Sequence, residues 1–230
     1  MFIWLFNYIR DTIFPKQCLE CSAWSTFICL ECRCKITPNK IQRCIECHKP
    51  SLLGITHPKC RTKFSPDRLV TVFNYQNSMV KKAITVAKIA MVPELLSELS
   101  SIAVSHITLS ASCTQNNFVL CPIPTSRYKQ RLRGFNSSTI IACYISNYFN
   151  LAVDNLLKKS NFIKQQKLLN KQQRHSNIRN AFLLPTKNGL PSYVILIDDV
   201  TTTGATFKEA ARILKKHGIV KVWCLALAQD

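Results

Sequence analysis

Residues 194–206, Val-Ile-Leu-Ile-Asp-Asp-Val-Thr-Thr-Thr-Gly-Ala-Thr, constrain the fold of this chain more than any other stretch. The aliphatic run predicts a buried parallel strand at 193–197 that delivers Asp198 and Asp199 to its carboxyl end, where open α/β sheets bind ligands. A hydroxyl-rich turn with one glycine then opens a predicted helix over 205–217. Thr202, Thr203, Gly204, Ala205 and Thr206 can turn backbone N–H groups and hydroxyls toward a phosphate at the positive end of that helix. Gly204 allows the backbone to approach the anion closely. Asp198 and Asp199 can accept hydrogen bonds from two vicinal ribose hydroxyls. A capped helix after a strand accounts for the turn without any ligand, but it leaves two adjacent carboxylates unexplained. The five glycines, Gly54, Gly134, Gly189, Gly204 and Gly218, are spaced for neither G-x-G-x-x-G nor a Walker A loop.

The rest of the chain repeats this alternation. Residues 69–75 read as a strand, 79–90 and 93–104 as helices, with Pro93 suited to a first helical turn. A short strand at 118–121 leads through Pro122-Ile-Pro124 into a basic loop, and 137–149 has helical apolar spacing. Residues 158–179 are basic and weakly periodic, a loop or loosely held helix. The helix over 205–217 stops at Gly218, with Lys215, Lys216 and His217 in its negative last turn, and a strand at 220–228 closes the sheet. Strands alternating with helices predict an α/β domain with a central parallel sheet covered on both faces. Its expected extent is 66–230, preceded by a separate N-terminal module at 1–65.

That module is set by its cysteines. Of 12 in the chain, eight lie from Cys18 to Cys60. Closely spaced C-x-x-C pairs with no secretory signal argue for metal ligation in a reducing cytoplasm. Cys18, Cys21, Cys29 and Cys32 form a four-thiolate set suited to a closed structural zinc site. Cys44 and Cys47 form a further pair, whose partners are His57 and Cys60. Zinc accepts three thiolates with one imidazole, although His48 competes with His57 as ligand, so one or two zinc ions are expected. A redox role is the alternative for these thiols. Cys34 reads as a bystander, and Cys113, Cys121, Cys143 and Cys224 as core residues. The apolar segment 1–15 is too short to span a bilayer and reads as a helix docked on the module.

Net charge is +19. Between Glu98 and Asp198 the only acid is Asp154, against Arg127, Lys129, Arg131, Arg133, Lys158, Lys159, Lys164, Lys167, Lys171, Arg174 and Arg179. Such a balance implies a polyanionic partner, nucleic acid or a polyphosphate; a solvated basic surface is the plainer reading.

Residues 194–206 resemble the PRPP-binding signature of type I phosphoribosyltransferases. The wider chain is similar to the ComF family, amidophosphoribosyltransferase-like proteins associated with DNA uptake. The Cys pairs, Phe73-Asn-Tyr75, Lys88, Pro122-Ile-Pro124, Arg133-Gly-Phe-Asn136, Gln166, Arg174, Asn177, Arg179 and Ala181-Phe182 carry that similarity. It implies a type I phosphoribosyltransferase fold behind a double zinc ribbon, with His57 where the family usually has Cys. It also implies PRPP bound with magnesium: Asp198 and Asp199 on the ribose, Thr202–Thr206 on its 5′-phosphate, and Pro124, Thr125 and Ser126 in a pyrophosphate loop. Arg127, Lys129, Arg131 and Arg133 lie beside that loop, where they can neutralise the leaving group. Residues 166–179 resemble a loop that closes over the ribose, or else form a nucleic-acid surface. The acceptor of the phosphoribosyl group is not legible. A second class of function, a single-stranded DNA-binding competence factor with a helicase-like partner, fits the same charge.

Overall fold

The computed structural model of the chain describes residues 16–107, 118–160, 181–185 and 189–230. The N-terminal segment 1–15, Cys113 and the candidate loop at 166–179 lie outside the described residues.

Four strands form one all-parallel sheet: β1 (Arg68–Asn74), β2 (Val119–Pro122), β5 (Tyr193–Thr201) and β6 (Lys221–Gln229), in the order β1-β6-β5-β2. The short strands β3 (Lys158–Lys159) and β4 (Phe182–Leu183) pair antiparallel beside it. Around them stand α1 (Leu30–Arg33), α2 (Ser78–Ile89), α3 (Glu94–Ala103), α4 (Arg127–Arg133), α5 (Ser137–Phe149) and α6 (Ala205–Lys216). The architecture is the expected α/β one with a central parallel sheet.

The sheet is covered on both faces, as continuous aliphatic strands require. Ile195, Ile197, Leu225 and Leu227 face a core built with Ala83 and Ile84 of α2, Leu95 and Leu99 of α3, and Ile141 and Ile145 of α5. The alternate residues Val194, Leu196, Val222 and Cys224 face Phe207, Ala210, Ala211 and Leu214. Those four recur at the three- and four-residue spacing that places them on one side of α6.

Three local expectations need correction. The basic stretch after Pro124 is a helix, α4, because Ser126 accepts the Lys129 N–H at 3.3 Å as N-cap and Gly134, at φ +77°, closes it. Strand β5 runs on to Thr201, because β6 is long enough to pair with it as far as Thr201↔Gln229. Cys143 is exposed on the outer side of α5 rather than in the core, whereas Cys121 and Cys224 are buried.

Residues 16–65 wrap this domain. Cys18, Ile28, Cys32 and Ile36 join the core on the α2–α3 side, while Ile45 joins the core on the α6 side. Between them the chain crosses edge strand β1. Asn39 donates its backbone N–H to the Val72 carbonyl at 2.7 Å and its side-chain amide to the Phe73 carbonyl at 3.0 Å. Gln42 both donates to the Thr71 carbonyl at 3.0 Å and accepts the Thr71 N–H at 2.9 Å. The exposed ladder of an edge strand is thereby satisfied within the chain.

Candidate strand-end site and metal centres

Strand β2 ends where Pro122 pairs with Ile197, so Asp198 and Asp199 stand beyond the end of their neighbour on one side. This is the carboxyl edge of the sheet, where open α/β folds bind ligands. Ser138, in the first turn of α5, donates its hydroxyl to Asp198 Oδ1 at 2.9 Å, and the Asp199 N–H donates to the same oxygen at 3.0 Å. Asp199 takes an ion pair with Lys88 near the end of α2, Nζ to Oδ1 at 2.8 Å. Neither partner of the two carboxylates follows from local sequence pattern. Lys88 lies 111 positions from Asp199, and Ser138 reads locally as part of a helix start.

Loss of solvent around Asp198, and then the charge of Asp199 beside it, push its carboxyl up to about 7. Ser138, the Asp199 N–H and Lys88 oppose that rise without cancelling it. The folded state therefore holds a proton here between the usual carboxylate range and about pH 7 that the unfolded chain has released. This group's contribution to stability falls as pH rises through that window. A ligand whose hydroxyls donate to this carboxyl binds its ionised form more strongly, so affinity is expected to decline below about pH 7. Calorimetric titrations at pH 6, 7 and 8 read this directly. Lys159 belongs to the same electrostatic neighbourhood: burial and Lys129 lower its ammonium, while Asp198 raises it.

The turn after β5 leads into α6 through Gly204, at φ +70°, and no side chain caps this helix. Helices α2, α4 and α5 are capped by Asn77, Ser126 and Asn136. Thr202 and Thr203 are exposed, Ala205 and Thr206 part-exposed. The α6 amides thus open beside the carboxylate pair, with hydroxyls on either side. On the β2 side, the Ile123 N–H donates to the Ile197 carbonyl at 2.9 Å, and the Asn136 amide donates to the Ile123 carbonyl at 2.9 Å. These bonds tie Pro124, Thr125 and Ser126 to the strand that carries the acids. Arg127 and Arg131 are exposed and Arg133 is part-exposed on α4, which follows directly.

Both cysteine sets converge. The ligand atoms of Cys18, Cys21, Cys29 and Cys32 lie within 4.8 Å of one another, as do those of Cys44, Cys47, His57 and Cys60. Cys21 and Cys29 sulfurs are 3.5 Å apart, against about 3.8 Å expected for a tetrahedral zinc at ~2.3 Å from each sulfur. His57 turns Nδ1 to the Cys47 sulfur at 3.3 Å and Nε2 to the Pro50 carbonyl at 3.2 Å. With the proton on Nε2 donated to that carbonyl, Nδ1 is left free as a ligand, the outer-shell arrangement usual for metal-bound histidine. His48 stays out of the cluster. Burial raises the Cys18 thiol, but N–H groups of Cys21, Cys29 and Glu20 outweigh it and bring it to about 6. Cys44 is lowered in the same way by Cys47, His57 and Glu46. Burial pushes Cys32 up to about 12; the Cys47 side chain, then burial, push Cys60 up to about 11. Three or four thiols packed this closely ionise together only around a cation. The donor sets fit structural zinc.

The first set is held to the domain by Glu98 of α3, which accepts the Ile28 N–H at 3.0 Å, and by the Glu20–Lys82 pair at 2.6 Å. The second reaches α6 through the Glu46–Lys208 pair at 3.3 Å.

These features define a parallel α/β protein with an acidic strand end, clasped by two four-residue knuckles whose donor sets fit zinc. The chain is 33% identical over 114 residues to competence protein F of Haemophilus influenzae, a match that spans 47% of this chain and half the length of that protein. It is 29% identical over 200 residues to competence protein ComFC of Bacillus subtilis, covering 83% of this chain and 79% of the relative. It is also 27% identical over 221 residues to DNA utilization protein YhgH of Salmonella typhimurium, covering 90% and 92%. No family profile matches the chain. The chain is similar to these competence and DNA-utilization proteins.

Proposed function

We propose that this protein binds PRPP with magnesium at the strand-end site and is a phosphoribosyltransferase-type member of the ComF family that serves DNA uptake. The observation that carries this reading is the Asp198–Asp199 pair beside the glycine-led, uncapped entry to α6. The carboxylates accept the ribose hydroxyls, and Thr202–Thr206 with the α6 amides take the 5′-phosphate. Pro124, Thr125 and Ser126 line the pyrophosphate, and Arg127, Arg131 and Arg133 offset its charge. Magnesium accompanies the pyrophosphate oxygens, since it binds by preference through substrate phosphates. In transfer, the bond from ribose C1 to pyrophosphate breaks and a bond from C1 to the acceptor forms. The acceptor's proton passes to solvent.

On this reading residues 1–65 are the metal module and 66–230 the phosphoribosyltransferase-like domain, working in the reducing cytoplasm that free thiols suit. Among the described residues no helix is long and apolar enough to cross a membrane. Calorimetric titration with PRPP tests the reading: saturable, magnesium-dependent binding is expected, and no binding in either condition overturns it.

A second reading, single-stranded DNA binding with a helicase-like partner, is favoured by α4. The helix has no buried residue, and Tyr128, 72% exposed, sits between Arg127 and Lys129. An aromatic face among cations is a stacking platform for bases. It also suits relatives named for competence and DNA utilization. On this reading, Tyr128→Ala weakens binding to an oligothymidylate by about tenfold with little change in salt dependence. Replacing Arg127 and Arg131 flattens that dependence by about one unit of slope per lost phosphate contact. Fluorescence anisotropy across a salt series measures both, and a flat salt response of the unmodified protein ends this reading.

A further inference from the structure

The second metal knuckle touches the candidate phosphate loop. Ile45, between the ligands Cys44 and Cys47, is fully buried and packs in the core that holds Phe207, Ala210 and Ala211 of α6. A methyl group placed on Gly204 would lie 2.8 Å from Ile45 Cγ1 and 3.2 Å from its Cδ1, so the loop backbone rests directly on this side chain. Glu46, the other residue between the ligands, pairs with Lys208 at 3.3 Å. The Lys208 N–H in turn donates to the Gly204 carbonyl at 2.9 Å. Two neighbouring residues of one knuckle therefore hold the loop glycine and the first turn of the helix behind it.

The first knuckle makes a contrast. Leu30 occupies the same place between Cys29 and Cys32 that Ile45 occupies between Cys44 and Cys47, and it is 80% exposed. Its cluster packs with Val72, α2 and α3 on the opposite face of the sheet.

We propose that Ile45 and Glu46 are positioning residues for the 202–206 loop, so that metal at Cys44, Cys47, His57 and Cys60 sets how tightly that loop grips a phosphate. The proposal rests on the reading of 202–206 as a phosphate cradle. The physical basis is local. A bound metal fixes the backbone of residues 44–47 at both ends, in a segment too irregular to hold itself. Gly204 sits in the left-handed region, where only surrounding contacts select one conformation for a loop that must aim several N–H groups at one point. Loosening the knuckle leaves the carboxylate pair in place and lets the phosphate loop spread.

The experiment uses the full-length, zinc-loaded protein, amide hydrogen exchange over 202–208 and calorimetry with magnesium–PRPP. Ile45→Ala is expected to raise exchange over 202–208 and to weaken PRPP binding by about tenfold with both metals retained. Ile45→Val restores both to within about threefold, and Leu30→Ala leaves both unchanged. Cys60→Ala is expected to lose one metal and raise exchange over 202–208 at least tenfold, with α2 and α3 protected as before. Unchanged exchange and affinity in Ile45→Ala overturn the proposal, as does a loss that Ile45→Val fails to restore. Equal loosening of α2 and α3 in Cys60→Ala also overturns it, because the metal then supports the fold at large. Should Cys60→Ala not fold, the Ile45 pair alone decides. If the unmodified protein binds no PRPP, the proposed ligand falls, and exchange over 202–208 still decides whether the knuckle holds the loop.

Discussion

Stripping the metal from this protein is expected to abolish the cooperative melt of the intact chain. Structural zinc held by four thiolates, or by three with one imidazole, contributes about 10–16 kcal/mol of apparent binding free energy in small peptides. That figure is comparable with the whole stability of a typical domain, about 5–15 kcal/mol. Here the clusters are not peripheral. Cys18 and Cys32 are buried in the core beside α2 and α3, and Ile45 is buried against α6. The strap between the clusters also covers the β1 edge through Asn39 and Gln42. Metal loss therefore uncovers part of both faces of the sheet and one of its edges together. Elemental analysis is expected to find two zinc ions per chain, and a strong chelator to replace the cooperative thermal transition with a broad, featureless one. A zinc count near one assigns the metal to the four-cysteine set and removes the His57 set. An unchanged melt after verified zinc loss would falsify the structural role of both.

Much of this arrangement is written in local sequence. Residues 194–197 are aliphatic because both faces of β5 are covered, and Phe207, Ala210, Ala211 and Leu214 recur at helical spacing because one side of α6 is. The eight candidate metal ligands, His57 among them, follow from spacing plus the chemistry of zinc, and the turn around Pro50 then sets His57 in its cluster and leaves His48 outside. What was not legible lies in contacts between distant segments. Lys88 and Ser138 reach the carboxylates from two helices, and no periodicity within either helix reports a partner across the sheet. Ile45 reads as an ordinary residue between two cysteines until the fold places it under Gly204. Cys143 and the α4 segment misled for a simpler reason. An apolar neighbourhood in sequence does not say which side of a helix faces water, and a run of basic residues conceals a helix whose only local signals are Ser126 and Gly134.

Replacing both carboxylates with amides, Asp198→Asn with Asp199→Asn, is expected to weaken magnesium–PRPP binding by about 2–4 kcal/mol, roughly 30- to 700-fold in Kd. This loss corresponds to two charge-assisted hydrogen bonds to vicinal ribose hydroxyls. Stability is expected to move differently. The new amide oxygen at position 198 can still accept the Ser138 hydroxyl and the N–H of residue 199, and both the cost of burying a charge there and the added repulsion from Asp199 disappear. Against this, Lys88 loses its ion-pair partner, but its side chain keeps 22% exposure and can turn to water. The midpoint of thermal unfolding should therefore stay within about 3 °C of the parent, while affinity collapses and its decline below about pH 7 disappears. Those three readings separate a ligand site from a structural ion pair. If the acids serve mainly to anchor α2 and α5 to the strand end, the melt falls by several degrees and whatever PRPP binding exists survives. Undiminished calorimetric affinity in the double variant would remove the ribose assignment, and with it the reason for two adjacent acids at the end of β5.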